Sequence, residues 1–177
     1  MTPRRLVVVS GLPGSGKSTL AEGLSRALSV PVFSIDPIEA AMWRGGIARD
    51  QTGIAAYDIA ATLADEHLKL GHSVIIDAVN PAEAPRAAWR KLAAKYRAVL
   101  NIIECVCADE VLHRRRVEAR VRNLDGMPEL KWDRVLERRD EYEPWTDARL
   151  ILDTSVDTPE QLLVKALSYV RSSNAKR

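Results

Sequence analysis

The sequence has few of the residues that mark disulfide scaffolds and metal sites. Only two cysteines occur among 177 residues, and they lie two positions apart at Cys105 and Cys107. On a strand both side chains would point to one face, which is a poor geometry for a disulfide, so we expect small core residues in a reducing compartment. The three histidines have no metal-ligand spacing. These shortages argue against a disulfide-stapled domain and against a zinc site.

Long apolar runs and a strong charge of one sign are also missing. No segment approaches the roughly 18 apolar residues of a membrane span, and the basic pair Arg4 and Arg5 precedes only a strand-length run, so we expect no signal peptide and no membrane partner. The formal net charge of +2 is too mild for bulk binding of nucleic acid. We therefore expect a cytoplasmic protein. The sequence does not indicate its oligomeric state.

Apolar runs alternate with amphipathic segments along the whole chain. The runs RLVVV, VPVFSID, HSVIIDAVN, AVLNIIECVC and ARLILD have the character of strands, and each is followed by a segment with helical spacing. This repeat predicts a five-stranded parallel sheet with helices on both faces, which is a three-layer α/β/α fold. Residues 1–177 are expected to form one domain. The turn-rich segment NLDGMPE predicts a small lid over approximately residues 120–131.

The segment VVVSGLPGSGKSTL carries the most specific signal in the chain. It fits the pattern GxxxxGK(S/T) and lies between a predicted strand and a predicted helix, as a P-loop requires. In such a loop the backbone N–H groups surround phosphate oxygens, Lys17 reaches the outer phosphates, and the Ser18 hydroxyl binds Mg²⁺. We therefore predict a P-loop NTPase fold and the cofactors ATP and Mg²⁺. The residues expected to bind the nucleotide are Gly11, Pro13, Gly14, Ser15, Gly16, Lys17, Ser18 and Thr19.

Other features of the sequence favour a kinase over other P-loop proteins. A GTPase would show an NKxD-type segment after a later strand, and the sequence has none. An ABC-type signature is also missing, and the chain is short for a motor. Among these classes of P-loop protein, the sequence therefore favours a kinase, which transfers the γ-phosphate of ATP.

Two acids follow predicted strands and sharpen this interpretation. Asp36 is expected to end the second strand and Asp77 the third, so both should face the crevice beyond the carboxyl ends of the sheet. Phosphoryl transfer needs one carboxylate to accept the proton of the acceptor hydroxyl and another to order the water shell of magnesium. Either acid could instead cap the following helix. The residues alone do not decide which of the two is the base.

The sequence resembles the small P-loop kinases that are similar to the kinase domain of phage-type polynucleotide kinase and to chloramphenicol phosphotransferase. The resemblance rests on GLPGSGKST, SIDPIEAAM, GHSVIIDAVN and RRRVEARVRN, and it extends through WDRVLERRDEYEP to LILDTS. It therefore covers nearly the whole chain. It implies a nucleoside-kinase-like sheet, an ATP-dependent activity and a lid that closes over the phosphates.

The resemblance also implies roles for individual residues. Asp36 would be the general base, and Asp77 would support magnesium or the substrate. Arg116 and Arg120, with the spacing RxxxR, would hold the ATP phosphates and assist transfer. Apart from the resemblance, Arg114, Arg115 and Arg122 on this basic helix are expected to face solvent. Just past the third strand, Asn80 and Arg86 are further candidates for contact with the substrate.

The sequence departs from the polynucleotide kinase pattern at one informative position. Those enzymes place an arginine three residues after the base acid to hold a substrate phosphate, whereas this chain has Glu39. A carboxylate would repel that phosphate, so Glu39 favours a neutral or cationic small acceptor with a hydroxyl group. We therefore predict an ATP-dependent phosphotransferase acting on an alcohol group. The alternatives are a polynucleotide or nucleotide 5′-kinase and an ATP-binding regulatory module without transfer activity.

Overall fold

Five parallel strands form the sheet in the computed structural model, which describes residues 3–121, 124, 125 and 127–173. Their order across the sheet is β2-β3-β1-β4-β5. This arrangement confirms the predicted α/β fold. The strands are β1 (Arg5–Ser10), β2 (Val32–Ser34), β3 (Val74–Asp77), β4 (Val99–Val106) and β5 (Leu150–Asp153).

The helices connect the strands and cover both faces of the sheet. A short 3₁₀ turn, Arg49–Gln51, leads into the longest helix. The helices are α1 (Lys17–Leu28), α2 (Ile35–Arg44), α3 (Thr52–Lys69), α4 (Glu83–Tyr96), α5 (Glu110–Ala119), α6 (Trp132–Asp140) and α7 (Pro159–Ser172).

The central strand β1 shows why the sheet has a core on each side. Successive side chains of a strand point to opposite faces. Leu6 and Val8 belong to the core beneath α3 and α4, whereas Val7 and Val9 belong to the core beneath α1 and α7. All four are at most 1% exposed. A strand buried on both faces reads as an unbroken apolar run, which is the pattern of RLVVV in the sequence.

The second strand is shorter than the sequence predicted. It ends at Ser34, and Asp36 lies in the first turn of α2 instead of at the end of β2. The expected placement of Asp36 on a strand end was therefore wrong by two residues. The positive end of the helix dipole favours a carboxylate at this position.

The predicted lid segment, residues 120–131, contains no helix or strand among its described residues. Arg122, Asn123 and Gly126 lie outside the described residues, and so does the expectation that Arg122 faces solvent. Met127 is 9% exposed and is buried on the side of the cleft described below.

Within the described part of the chain, no helix combines the length and the apolar character that a membrane crossing needs.

Candidate active site

The glycine-rich loop between β1 and α1 has a backbone that only glycine can adopt at its critical points. Gly11 has φ +144° and Gly14 has φ +81°. A Cβ atom on Gly11 would lie 2.3 Å from the carbonyl oxygen of Cys105, and one on Gly14 would lie 2.5 Å from a methyl group of Val117. The loop is therefore fixed against β4 on one side and α5 on the other. The Ser15 N–H donates to the Leu12 carbonyl at 3.1 Å, and the N–H groups at the start of α1 lie at the position where a P-loop binds an anion.

Lys17 is the most informative residue of this loop. It is the first residue of α1, and it is only 4% exposed. Its ammonium group has no hydrogen-bond or ion-pair partner among the described residues. An ammonium group on a largely buried side chain, without an ion-pair partner, is well placed to take an anionic ligand as its counter-ion. The neighbouring Ser15 hydroxyl is also buried and without a partner in the described part of the chain.

One carboxylate oxygen of Asp77 accepts a hydrogen bond within the protein, and the other has no partner among the described residues. Its Oδ2 accepts a hydrogen bond from the Ser34 hydroxyl at 3.0 Å. Its Oδ1 is buried and has no partner within the described residues. Asp77 is paired in register with both Val9 of β1 and Ser34 of β2, so it lies at the carboxyl edge of the sheet next to the loop. The residue is 5% exposed.

These atoms fit a magnesium ion that is held mostly by water and phosphate. Mg²⁺ usually keeps several waters and binds proteins through one or two oxygen ligands. The described residues contain no group of three or more histidine, cysteine or acidic side chains that could hold a metal alone. The unpaired Oδ1 of Asp77 and the half-buried Ser18 supply the kind of oxygen atoms that this mode of binding uses.

A cleft of about 880 Å³ lies beside the loop, between α2 and α3 on one side and the segment before α6 on the other. Pro13 of the loop lines it, and so do Asp36 and Glu39, which are three residues apart on α2. Glu39 Oε1 accepts a hydrogen bond from the fully buried Thr52 hydroxyl at 2.9 Å. The cleft therefore brings the predicted base and the phosphate loop to one cavity, which is the size of a small-molecule site.

The two arginines expected to share one anion lie beside different parts of the phosphate loop. Arg116 donates to the hydroxyl and to the carbonyl of Thr154, both at 2.8 Å. Thr154 packs against Gly16, so Arg116 holds the loop after β5 against the phosphate loop. Helix α5 ends at Ala119, and Arg120 has an extended backbone and borders the crevice at Gly14. The two residues are therefore not one turn apart on a helix, because α5 ends between them, and their contact with the ATP phosphates stays a prediction.

Asn80 and Arg86 are used inside the protein, which corrects their expected contact with substrate. Asn80 is fully buried, and its Oδ1 accepts from Trp89 Nε1 at 2.8 Å. Arg86 is 2% exposed. Its guanidinium donates to the carbonyls of Asn80, Pro81, Glu143 and Pro144 at 2.6 to 3.3 Å and lies 4.1 Å from the centre of the Trp145 ring. Both side chains support the wall of the cleft and do not face it.

Sequence analysis gave no role to His113, which the structure places beside the phosphate loop. Its Nε2 lies 2.8 Å from the carbonyl oxygen of Pro13, so this nitrogen carries the proton and donates it. The ring also meets Trp132 of α6 edge-on at 5.2 Å. His113 therefore connects the phosphate loop to the helix that follows the predicted lid.

Comparison with known proteins places the chain in a family. Residues 6–142 match the model of a family described as an AAA domain. Uncharacterized proteins of Mycobacterium tuberculosis and Mycobacterium bovis are 30% identical to the chain over 138 residues, which is 71% of this chain. The chain spans only 28% of the length of these relatives.

Several solved structures share the whole architecture. A putative kinase from Chloroflexus aurantiacus has a TM-score of 0.76 at 21% identity, and the match covers 98% of this chain and all of that one. A sugar kinase from Janibacter has a TM-score of 0.73 at 22% identity, covering 96% and 95%. An APS kinase of Mycobacterium tuberculosis, solved with AMPPNP and APS, has a TM-score of 0.70 at 20% identity, covering 96% and 99%. At these identities the likeness establishes a common P-loop kinase fold.

Proposed function

Because the chain belongs to the AAA-domain family that its residues 6–142 match, we propose that it is an ATP-dependent phosphotransferase acting on a hydroxyl group of a small molecule. The observation that carries the proposal is the position of Asp36. This carboxylate lines the same cleft as Pro13 of the phosphate loop. A hydroxyl group bound in that cleft would have a proton acceptor and a phosphate site within one cavity.

The proposed reaction follows from this arrangement. The hydroxyl oxygen of the acceptor attacks the γ-phosphorus, and Asp36 accepts the hydroxyl proton. The bond between the γ-phosphorus and its bridging oxygen breaks, and ADP leaves with the electron pair. Lys17 stabilises the charge on the phosphate oxygens as the transition state forms. When bound, Mg²⁺ neutralises charge on the β- and γ-phosphates.

The burial of the two acids and their positions relative to the cleft support the division of roles between them. Asp77 is 5% exposed and lies at the sheet edge beside the end of β1, whereas Asp36 is half-buried and lines the open cleft. The acid that accepts the proton must reach the acceptor, and the acid that orders metal-bound water must lie close to the phosphates. We therefore assign the proton acceptor to Asp36 and the support of magnesium to Asp77 and Ser18.

A screen for acceptors tests the proposed function. ADP release would be measured with the wild-type protein, ATP and Mg²⁺ in the presence of hydroxyl compounds, and 5′-hydroxyl oligonucleotides would form a separate arm. We expect a small hydroxyl compound to raise ADP release well above the rate without acceptor. A clear preference for oligonucleotides would replace the small-molecule assignment by the polynucleotide one. ATP binding without acceptor-dependent release would instead favour a regulatory module.

The Asp77→Asn variant tests the proposed magnesium support. Asparagine can still accept the hydrogen bond from Ser34, but it offers a neutral group to metal-bound water in place of a carboxylate. We expect the Mg²⁺ concentration for half-maximal rate to rise by about tenfold or more. The control is Asp65→Asn, which changes a surface carboxylate paired with Lys95. Equal Mg²⁺ dependence in the wild-type protein and the Asp77 variant would contradict the assignment.

The Arg120→Ala variant tests whether the residue next to Gly14 contributes to transfer. Arg120 is exposed and borders the crevice at the phosphate loop, so its guanidinium is positioned to stabilise phosphate charge. We expect kcat to fall by about tenfold. Arg114 is the matched control, because it lies on α5 and forms an exposed ion pair with Glu118. If the alanine variants of both arginines behave alike, Arg120 belongs to a solvated surface.

A further inference from the structure

The crest of the phosphate loop, residues 12–14, belongs to a tight turn. The Ser15 N–H donates to the Leu12 carbonyl at 3.1 Å and closes a four-residue turn with Pro13 and Gly14 at its centre. Gly14 has φ +81°. A proline at the first central position and a residue with φ near +80° at the second are typical of a type II turn. The crest therefore has the type II form.

The amino acids of this turn are compatible with a second form. Type I and type II turns differ by a rotation of the central peptide group, which here joins Pro13 to Gly14. Proline is favoured at the first central position of both types, and glycine tolerates φ of either sign at the second. In a trans peptide group the C=O and the N–H point in opposite directions. Rotating this group would therefore place the Pro13 carbonyl oxygen where the Gly14 N–H now lies.

His113 of α5 holds the turn in the form that the structure shows. Its side chain is 6% exposed, and its Nε2 donates to the Pro13 carbonyl at 2.8 Å. In the described part of the chain this is the only hydrogen bond that joins residues 12–14 to another element. The His113 ring is in turn packed edge-on against Trp132, with the ring centres 5.2 Å apart. The Gly14 N–H consequently points away from His113, and it has no acceptor among the described residues.

The direction of this peptide group decides what the loop offers to a phosphate. A backbone N–H attracts a phosphate oxygen through a charge-assisted hydrogen bond, whereas a carbonyl oxygen in the same place would repel it. We propose that His113 is a positioning residue that fixes the Pro13–Gly14 peptide group so that the Gly14 N–H faces the nucleotide phosphates. The inference rests on the proposed phosphotransferase function, because it requires that the loop binds ATP. His113 acts through the peptide group and does not itself contact the nucleotide.

Two variants of His113 separate its hydrogen bond from the packing of its ring. His113→Phe keeps an aromatic ring beside Trp132 and removes the donor, whereas His113→Gln removes the ring and keeps an N–H donor. The ATP analogue AMPPNP is titrated calorimetrically with Mg²⁺, at a temperature where melting curves show each protein folded. We expect Kd to rise about tenfold in His113→Phe and to stay within about threefold of wild-type in His113→Gln. The matched control is His72→Phe, an exposed position before β3, which should bind like the wild-type protein.

The ¹H–¹⁵N NMR signal of Gly14 follows the peptide group directly. We expect its amide proton to move downfield when AMPPNP binds to the wild-type protein and to His113→Gln, and to move much less in His113→Phe. An unchanged Gly14 signal in the wild-type complex would overturn the inference, and this measurement does not depend on the folding of any variant.

The affinities distinguish failure of this inference from failure of the proposed function. Equal Kd values for the wild-type protein and both His113 variants would overturn the positioning role and leave the phosphotransferase function intact. A His113→Gln variant that binds as weakly as His113→Phe would also overturn it, because the ring and not the hydrogen bond would then matter. A wild-type protein that binds no nucleotide would overturn the phosphotransferase function itself.

Discussion

Lys17→Ala is expected to abolish phosphoryl transfer, with a loss of kcat/KM of about 10³-fold or more. The Lys17 residue is 4% exposed and its ammonium group has no hydrogen-bond or ion-pair partner in the described part of the chain, so its charge is available to the phosphates. Steady-state kinetics with an acceptor that the wild-type protein phosphorylates would measure the loss of kcat/KM. The affinity for ATP should fall as well, because the ground-state phosphates lose the same contact.

The folded protein should tolerate this substitution, and that separates a functional lysine from a structural one. The Lys17 ammonium makes no hydrogen bond or ion pair with the described residues that the fold would lose, so the melting temperature without nucleotide should stay close to that of the wild-type protein. Lys69→Ala is the matched control, because Lys69 is exposed and pairs with Glu66. A Lys17 variant that transfers phosphate at the wild-type rate would refute the P-loop assignment.

Asp36→Asn is expected to lower kcat by about 10²-fold or more while the affinity for ATP stays close to wild-type. The amide has nearly the shape of the carboxylate, but it cannot accept the proton of the acceptor hydroxyl. The effect should therefore appear in the chemical step and not in nucleotide binding. Single-turnover kinetics together with a separate ATP titration would distinguish these two quantities.

A matched control exists for this change. Asp133 occupies the first turn of α6 as Asp36 occupies the first turn of α2, and it is exposed and does not line the cleft. Asp133→Asn should keep the wild-type rate, although it makes the same change at a helix start. If the Asp36 variant retained full turnover while Asp77→Asn was inactive, the proton acceptor would be Asp77.

The sheet and the phosphate loop could be predicted because their signals are local. An apolar run buried on both faces, followed by GxxxxGKS and a helical stripe, specifies a strand, a loop and a helix within a few dozen residues. The end of β2 could not be predicted to the residue, because a strand of three residues gives too short a pattern. The sequence identified Asp36 as a candidate base, but only the structure shows that it lies in the first turn of α2.

The remaining parts of the site depend on residues that are far apart in the sequence. Arg86 was expected at the substrate because it follows β3, yet its guanidinium is taken up by carbonyls 57 and 58 residues later. His113 contacts Pro13 across 100 residues. No periodicity or motif records such contacts, since they arise only when the elements pack. The same holds for Tyr57, whose hydroxyl reaches the backbone of Asn80.

The ³¹P NMR spectrum of a reaction with ATP, Mg²⁺ and an acceptor from the screen tests the central claim most directly. The account predicts a phosphate monoester resonance that grows in step with ADP, and no such resonance with Asp36→Asn over the same time. ADP formed together with inorganic phosphate alone, at a rate that no acceptor changes, would contradict it.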